Sequence, residues 1–151
     1  MTPSPHTPTA TERTVQTTRF GTLTIDEELA LSFPEGLVGF PGPHLFALVP
    51  HSKESPFLWL QDLEDGSLAF PVTALDLPDT AAPTLLTTEE RTQLGLEPGE
   101  NPRLLGVVSV SKGEIHLNRL GPIAVNIQKR IGRQLVLDLP LPPSEFLSPG
   151  G

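Results

Sequence analysis

Residues 104–120, LLGVVSVSKGEIHLNRL, decide the fold class. From Leu104 to Ser111 the chain is strongly apolar and rich in β-branched side chains, which favours a strand over a helix of that length. Lys112-Gly113 is a dipeptide suited to a two-residue turn. After it Ile115 and Leu117 alternate with polar Glu114 and His116, the period of a strand with one covered face. The stretch predicts a β-hairpin.

Working outward toward the C-terminus, Gly121-Pro122 breaks the chain. Ile123, Val125 and Ile127 then alternate against Ala124, Asn126 and Gln128. Residues 130–132 turn it, and Leu135, Leu137 and Leu139 alternate again. Toward the N-terminus, residues 14–20 and 22–26 form a pair meeting at Gly21, and residues 29–33, 45–49, 57–63 and 68–74 read as further short strands. Pro71 in the last of these needs a sheet edge or a bulge, because proline has no N–H to donate. One helix is signalled. Thr87 followed by Glu90 is a capping-box spacing, and Gly95 marks the stop, so residues 88–94 give about two turns on the outside of the sheet. The fold class is mostly β: a small antiparallel β-barrel-like domain with one short helix, in which closure removes exposed edges. A two-layer sandwich is the alternative that the pattern leaves open.

The chain has 151 residues, enough for one domain with a real core. Proline, serine and threonine crowd both ends, so residues 1–14 read as a disordered tail, 15–139 as the β domain, and 140–151 as a proline-rich C-terminal tail. There is no cysteine, which excludes disulfides, thiol catalysis and cysteine-held metals. Neither a signal peptide nor a membrane-length apolar window is present, and the expected location is the cytoplasm.

The formal charge of −8 is uneven. Residues 20–114 hold fifteen Asp and Glu against four Lys and Arg, whereas residues 115–137 hold no acid and four bases, Arg119, Lys129, Arg130 and Arg133. So acidic a bulk repels a phosphate backbone, and no direct nucleic-acid binding is expected. It would attract a basic protein, although acidic surfaces also serve solubility alone.

Catalytic chemistry is missing. No phosphate-binding loop, dinucleotide fingerprint, nucleophile elbow or HExxH motif occurs. His44 and His51 flank a strand without metal-site spacing, and Glu114 with His116 is an ordinary hairpin surface pair. Asp62, Glu64 and Asp65 lack the oxygen-ligand density of a calcium loop. The expectation is no enzyme, no cofactor and no metal.

Four segments, taken in order, carry a resemblance: TTRFGTLTID at 17–26, FPEGLVGF at 33–40, SPFLWLQDLEDGSLAF at 55–70 and LGPIAVNIQKRIGRQLVL at 120–137. They closely resemble the FliW family of flagellar assembly factors, over roughly residues 15–139. The long N-terminal extension, Gly121 before Pro122 and the proline-rich C-terminus depart from it. The resemblance implies a non-enzymatic bacterial regulator that binds the translational repressor CsrA away from its RNA groove, by an allosteric, non-competitive route, and so relieves repression of flagellin synthesis. It also implies binding of flagellin, in competition with CsrA.

The residues singled out for protein binding are Glu35, Gly36, Leu37, Val38 and Phe40 in the first glycine-rich loop, Gln61, Asp62, Glu64 and Asp65 after the tryptophan strand, and Asn126. The glycines permit a sharp turn, and the apolar residues between them are of the kind that anchor interfaces. The plainer reading makes Phe33 and Phe40 a plug for one barrel end and Asn126 a pin for a neighbouring loop. Trp59 reads first as core. A binding module for a small apolar ligand, with a hollow barrel, is the competing functional class.

Overall fold

The computed structural model describes residues 12–50, 52, 55, 57–75 and 86–137. The strands are β1 (Glu12–Thr17), β2 (Gly21–Asp26), β3 (Leu31–Phe33), β4 (Gly36–Leu37), β5 (Phe40–Pro41), β6 (His44–Pro50), β7 (Phe57–Asp62), β8 (Ala69–Leu75), β9 (Arg103–Ser111), β10 (Glu114–Leu117), β11 (Ile123–Asn126) and β12 (Ile131–Gln134). A 3₁₀ turn, Glu27–Leu29, follows β2, and helix α1, Thr88–Gln93, precedes β9.

Seven strands close into a barrel in the order β9, β11, β12, β3, β6, β7, β8 and back to β9. This settles the choice between barrel and sandwich. Every joint in the ring is antiparallel except β12 with β3, which pair in parallel at Ile131 and Ser32. Lys112 (φ 54) and Gly113 (φ 79) form the expected hairpin turn, the doubly left-handed geometry that matches strand twist. Strand β10 extends from β9 outside the ring.

Pro71 sits opposite Trp59 on β7, and the β8–β9 ladder begins only at Val72. The amide of Asp62 bonds the carbonyl of Leu68, and antiparallel alternation from that pair turns residue 71 away from β7, toward the side where β9 pairing has not begun. The proline therefore occupies the edge its chemistry requires.

Three apolar clusters divide the work. The barrel axis is filled by Leu31, Phe33, Phe46, Leu60, Val72, Leu105, Ile123 and Val125. Gly132 faces Phe33 so closely that a Cβ there would lie 2.6 Å from ring atom Cε1. Leu86, Leu94, Leu104, Ala124 and Leu135 pack outside the ring at α1. Val15, Ala30, Ala47 and Leu63 form the third cluster, where the β1–β2 hairpin lies on the outside of β6 and β7. The capping box is present: the Thr87 hydroxyl accepts from the Glu90 amide at 3.1 Å, and the Glu90 carboxylate accepts from the Thr87 amide at 2.8 Å.

Two boundaries differ from expectation. β1 starts at Glu12, so residues 12–14 belong to the hairpin and not to the tail, because Glu12, Arg13 and Thr14 pair with Asp26, Ile25 and Thr24. Among the described residues the last strand is 131–134, and residues 135–137 are not part of it; Arg130 takes a left-handed φ of 59 and the strand begins directly after it. All four residues of β11 are buried, on both faces, since α1 and its flanks cover the side that alternation alone would leave to solvent. Leu139 and residues 140–151 lie outside the described residues. No helix among the described residues is long and apolar enough to cross a membrane.

Candidate functional site

Strand register gathers the interesting loops at one end of the barrel. Phe33 lies beside His44, and Phe46 beside Asp62. Gln61 pairs with Ala69 and Ile123 with Gln134. Residues 34–43, 62–68 and 118–122 therefore emerge together, with the chain leaving β12 among them. The opposite end carries residues 27–30, the β6–β7 connection and residues 127–130.

The first loop is a miniature hairpin. Gly36 pairs with Pro41 and Leu37 with Phe40, which leaves Val38-Gly39 as a two-residue turn. Gly36 (φ 71) and Gly39 (φ 86) both need the left-handed region. Leu37 drops into the core at 6% exposure, while Val38 stands out at 67%. Phe40 is 38% exposed, and its ring meets Phe70 edge-on at 5.1 Å. Phe70 meets Phe46 at 6.1 Å, and Phe46 meets Phe33 at 5.1 Å. An aromatic chain thus runs from the loop into the barrel axis and holds the loop's position. Of the two plug candidates, Phe33 is fully buried and Phe40 stays partly in solvent.

Gln134 ties this loop to its neighbour. Its Oε1 accepts from the Val38 amide at 2.8 Å, and its Nε2 donates to the Gly121 carbonyl at 2.9 Å. Asn118 Oδ1 accepts from the amides of Leu120 and Gly121, each at 3.0 Å, and fixes that second loop. Beyond β12, the Leu135 amide donates to Pro122 and the Leu137 amide to Leu120, each at 2.8 Å. Leu120 and Val136 are left outside, 48% and 76% exposed. Val38, Leu120 and Val136 are exposed aliphatic residues on the three segments that meet at Gln134.

The acidic turn is built on a buried carboxylate. Asp62 is fully buried. Its Oδ1 accepts from the amides of Glu64 (2.7 Å) and Asp65 (2.8 Å), and its Oδ2 lies 2.7 Å from His44 Nδ1. Gln61, also fully buried, donates from Nε2 to the carbonyls of Asp62, Gly66 and Leu68. The turn is held from below by both residues, and from the side by the Thr18 amide on the Gly66 carbonyl at 3.0 Å. Glu64 and Asp65 point to solvent. The Ser67 hydroxyl and then the Ser67 amide, both donating to Asp65, hold its carboxyl below the usual carboxylate range.

A sequence model of the FliW protein family matches residues 14–144. The chain belongs to the FliW family. The flagellar assembly factor FliW of Magnetococcus marinus is 33% identical over 125 residues, which is 81% of this chain and 77% of that protein. The one from Desulfitobacterium hafniense is 36% identical over 129 residues, covering 82% and 83% of the two chains. A crystal structure of the flagellar assembly factor FliW superposes with a TM-score of 0.69 over 90% of this chain and 94% of that one. At 24% identity that likeness speaks for the fold.

Within this FliW-type barrel the expected contact residues separate. Glu35, Val38, Phe40, Glu64 and Asp65 are exposed and share the loop end. Gly36 and Leu37 are buried and shape the first loop from within. Gln61 and Asp62 are corrected: both are fully buried and not offered to a partner, Gln61 on the outer face of β7 with its Nε2 drawn under the turn, and Asp62 on the inner face with Leu60, where the Glu64 and Asp65 amides and His44 take up its carboxylate. Asn126 is corrected likewise. It is buried at the other end, where Nδ2 donates to the Leu94 carbonyl at 2.8 Å and Oδ1 accepts from the Lys129 amide at 3.2 Å. Trp59 is half-buried on the outer face, edge-on to Phe20 at 6.5 Å, with Arg19 stacked 3.7 Å from its ring centre. Sequence reasoning missed Gln134, Leu120 and Val136. The only signal was a single amide-bearing residue just before the apolar run that starts at Leu135.

Proposed function

We propose that this protein is a non-enzymatic flagellar assembly factor that acts by binding other proteins at the loop end of its barrel. The observation that carries the reading is the composition of that end. Exposed Val38, Phe40, Leu120 and Val136 stand beside the acids Glu35, Glu64 and Asp65, on loops fixed in place by Gln134, Asp62 and the aromatic chain. Apolar anchors ringed by charge, held on a rigid scaffold, suit a protein interface. Family membership supports the role in flagellar assembly.

The partners proposed are CsrA and flagellin, in the cytoplasm. Binding of CsrA away from its RNA groove relieves repression of flagellin synthesis, and flagellin competes for the same regulator. A basic repressor suits the acidic bulk of this chain, which would act chiefly on encounter rate. The protein itself makes no contact with RNA in this reading.

Calorimetry and size-exclusion chromatography of the purified protein with each partner test the proposal. A stoichiometric complex with CsrA, and separately with flagellin, is expected. Absence of both complexes at tens of micromolar would sink it. Val38→Asp should weaken whichever complex uses this end, and a gel shift with the isolated protein should find no micromolar RNA binding. The competing reading, a hollow barrel for an apolar ligand, is not favoured, because the axis is filled by Phe33, Phe46, Leu60 and their neighbours.

A further inference from the structure

We propose that the barrel end opposite the loops carries a second docking site, a cleft between β2 and β6 that takes an extended segment of a partner protein as an added strand, with aliphatic side chains on the cleft floor and an acidic side chain on Arg130. The cleft has a volume of about 540 Å³. It lies away from Val38 and the acidic turn, and the proposal does not rest on the reading of that end as a partner surface.

Open strand edges carry the first half of the inference. Thr24, Ile25 and Asp26 are consecutive residues of β2, and all three line the cleft. Neighbouring side chains on a strand point to opposite faces, so a cavity that touches three in a row runs along the strand's edge. Among the described residues β2 pairs with β1 alone, which leaves that edge open. Ala47 and Leu48 line the same cleft, where β6 has lost its β3 neighbour after Phe46 and keeps only β7. The Leu63 amide donates to the Leu45 carbonyl at 2.9 Å, and antiparallel alternation from that pair turns the N–H and C=O of Leu48 away from β7, to the side that β3 has left. Main-chain groups left open in this way are a template for a further strand.

Side chains carry the second half and name the chemistry of the occupant. Leu31 lies buried in the cleft and Leu29 stands on its rim, 56% exposed, which suits aliphatic groups. Arg130, half-buried on the same cavity, holds a left-handed φ of 59 that favours glycine. Its guanidinium makes no hydrogen bond or ion pair among the described residues. Its neighbours are engaged: Lys129 reaches Glu97 and the Gly95 carbonyl, and Arg133 reaches Glu90 and Gln93. Asp26, the acid in the cleft, accepts from the Glu28 amide at 2.9 Å through Oδ1 and makes no ion pair with Arg130. A partly desolvated guanidinium is best met by a carboxylate, which it binds in a two-pronged fork. Asp26 has Oδ2 left for a donor. The recognised segment therefore carries an acid for Arg130 and a base for Asp26.

The probe is a pool of blocked hexapeptides, each with two leucines, one aspartate, one lysine and two threonines, in every order. It is neutral, so the charge of the chain exerts no general attraction. In spectra of the full-length protein the amide signals of residues 24–26, Leu29 and Leu48 should shift with added pool, and hydrogen exchange at Leu48 and within residues 24–26 should slow. Replacing the aspartate by asparagine should raise the half-saturating concentration about tenfold. Arg130→Gly should do the same, and it should fold, because glycine suits the left-handed φ and keeps the carbonyl that accepts from the Ser32 amide at 2.8 Å. No shift at these amides would overturn the proposal. Shifts without slowed exchange would remove the added strand, and equal binding of the asparagine pool would remove the role of Arg130. The same shifts on raising the protein concentration alone would assign the cleft to a second copy and overturn it too. If the pool binds as expected while neither CsrA nor flagellin does, the cleft stands and the proposed partners fall.

Discussion

Gly36 and Gly39 sit three residues apart in the same tight loop, both at positive φ, yet alanine should affect them unequally. At Gly39 (φ 86) a new Cβ meets nothing within 4 Å, so Gly39→Ala carries only the left-handed penalty of about 1–2 kcal/mol. At Gly36 (φ 71) a Cβ carries the same penalty and also runs into the carbonyl oxygens of Phe40 and Gly42. Those are backbone atoms and cannot rotate aside. Overpacking of this kind adds roughly 1–3 kcal/mol, for a total of about 2–5 kcal/mol. With roughly 3 °C of midpoint per kcal/mol in a domain of this size, Gly36→Ala should melt about 6–15 °C below the parent, and Gly39→Ala about 3–6 °C below. Urea titration followed by the fluorescence of Trp59, the chain's one tryptophan, measures both. Because Leu37 beside Gly36 is a core residue, Gly36→Ala should also speed hydrogen exchange at the loop more than Gly39→Ala does. Equal destabilisation by the two substitutions would refute the claim that close approach of the backbone, and not φ alone, demands glycine at position 36.

Asp62→Ala should cost about 3 kcal/mol in denaturant titration, because two amides and His44 lose a buried acceptor, and Asp62→Asn should cost less by keeping an oxygen for the amides. Ser67→Ala should raise the pKa of Asp65 toward the ordinary value in an NMR titration. Asp65's folded pKa is depressed, so its stabilising effect is present above the unfolded pKa and is lost as pH falls through the lower folded one; the serine substitution should abolish that acid-range dependence. Asn126→Ala should cost about 1–3 kcal/mol and should raise hydrogen exchange at the C-terminal end of α1, since the Leu94 carbonyl loses its donor.

What the sequence made legible was local. The Lys112-Gly113 turn, the Thr87–Glu90 capping box and the edge position of Pro71 each depend on a few adjacent residues, and each is found where the residues put it. The pin role of Asn126 was readable as a polar residue interrupting a β-branched strand. The burial of Asp62 was not readable, because it comes from His44 and Phe46 on the neighbouring strand β6, and that of Gln61, on the opposite face, comes from the way residues 62–68 fold back over its amide. The misplaced last strand has a local cause that pattern conceals. Leu135 and Leu137 alternate as a strand would and do keep backbone bonds to Pro122 and Leu120, yet the ladder with β11 ends at Gln134. The candidate surface was half legible: FPEGLVGF marks its first loop, but only the tertiary fold brings Leu120 and Val136 beside Val38.

The parallel joint between β12 and β3 makes this barrel late to close. Ile131 must find Ser32, almost a hundred residues upstream, and until it does β3 and β11 each keep an open side. A ribosome releasing this chain from its N-terminus has made six of the seven ring strands before the one that seals them exists. Contacts of such separation fold slowly, and unsealed strand edges are templates for pairing between chains. Synthesis halted between β11 and residue 131 therefore leaves a sheet with two live edges, so the protein's solubility during translation depends on β12 arriving promptly.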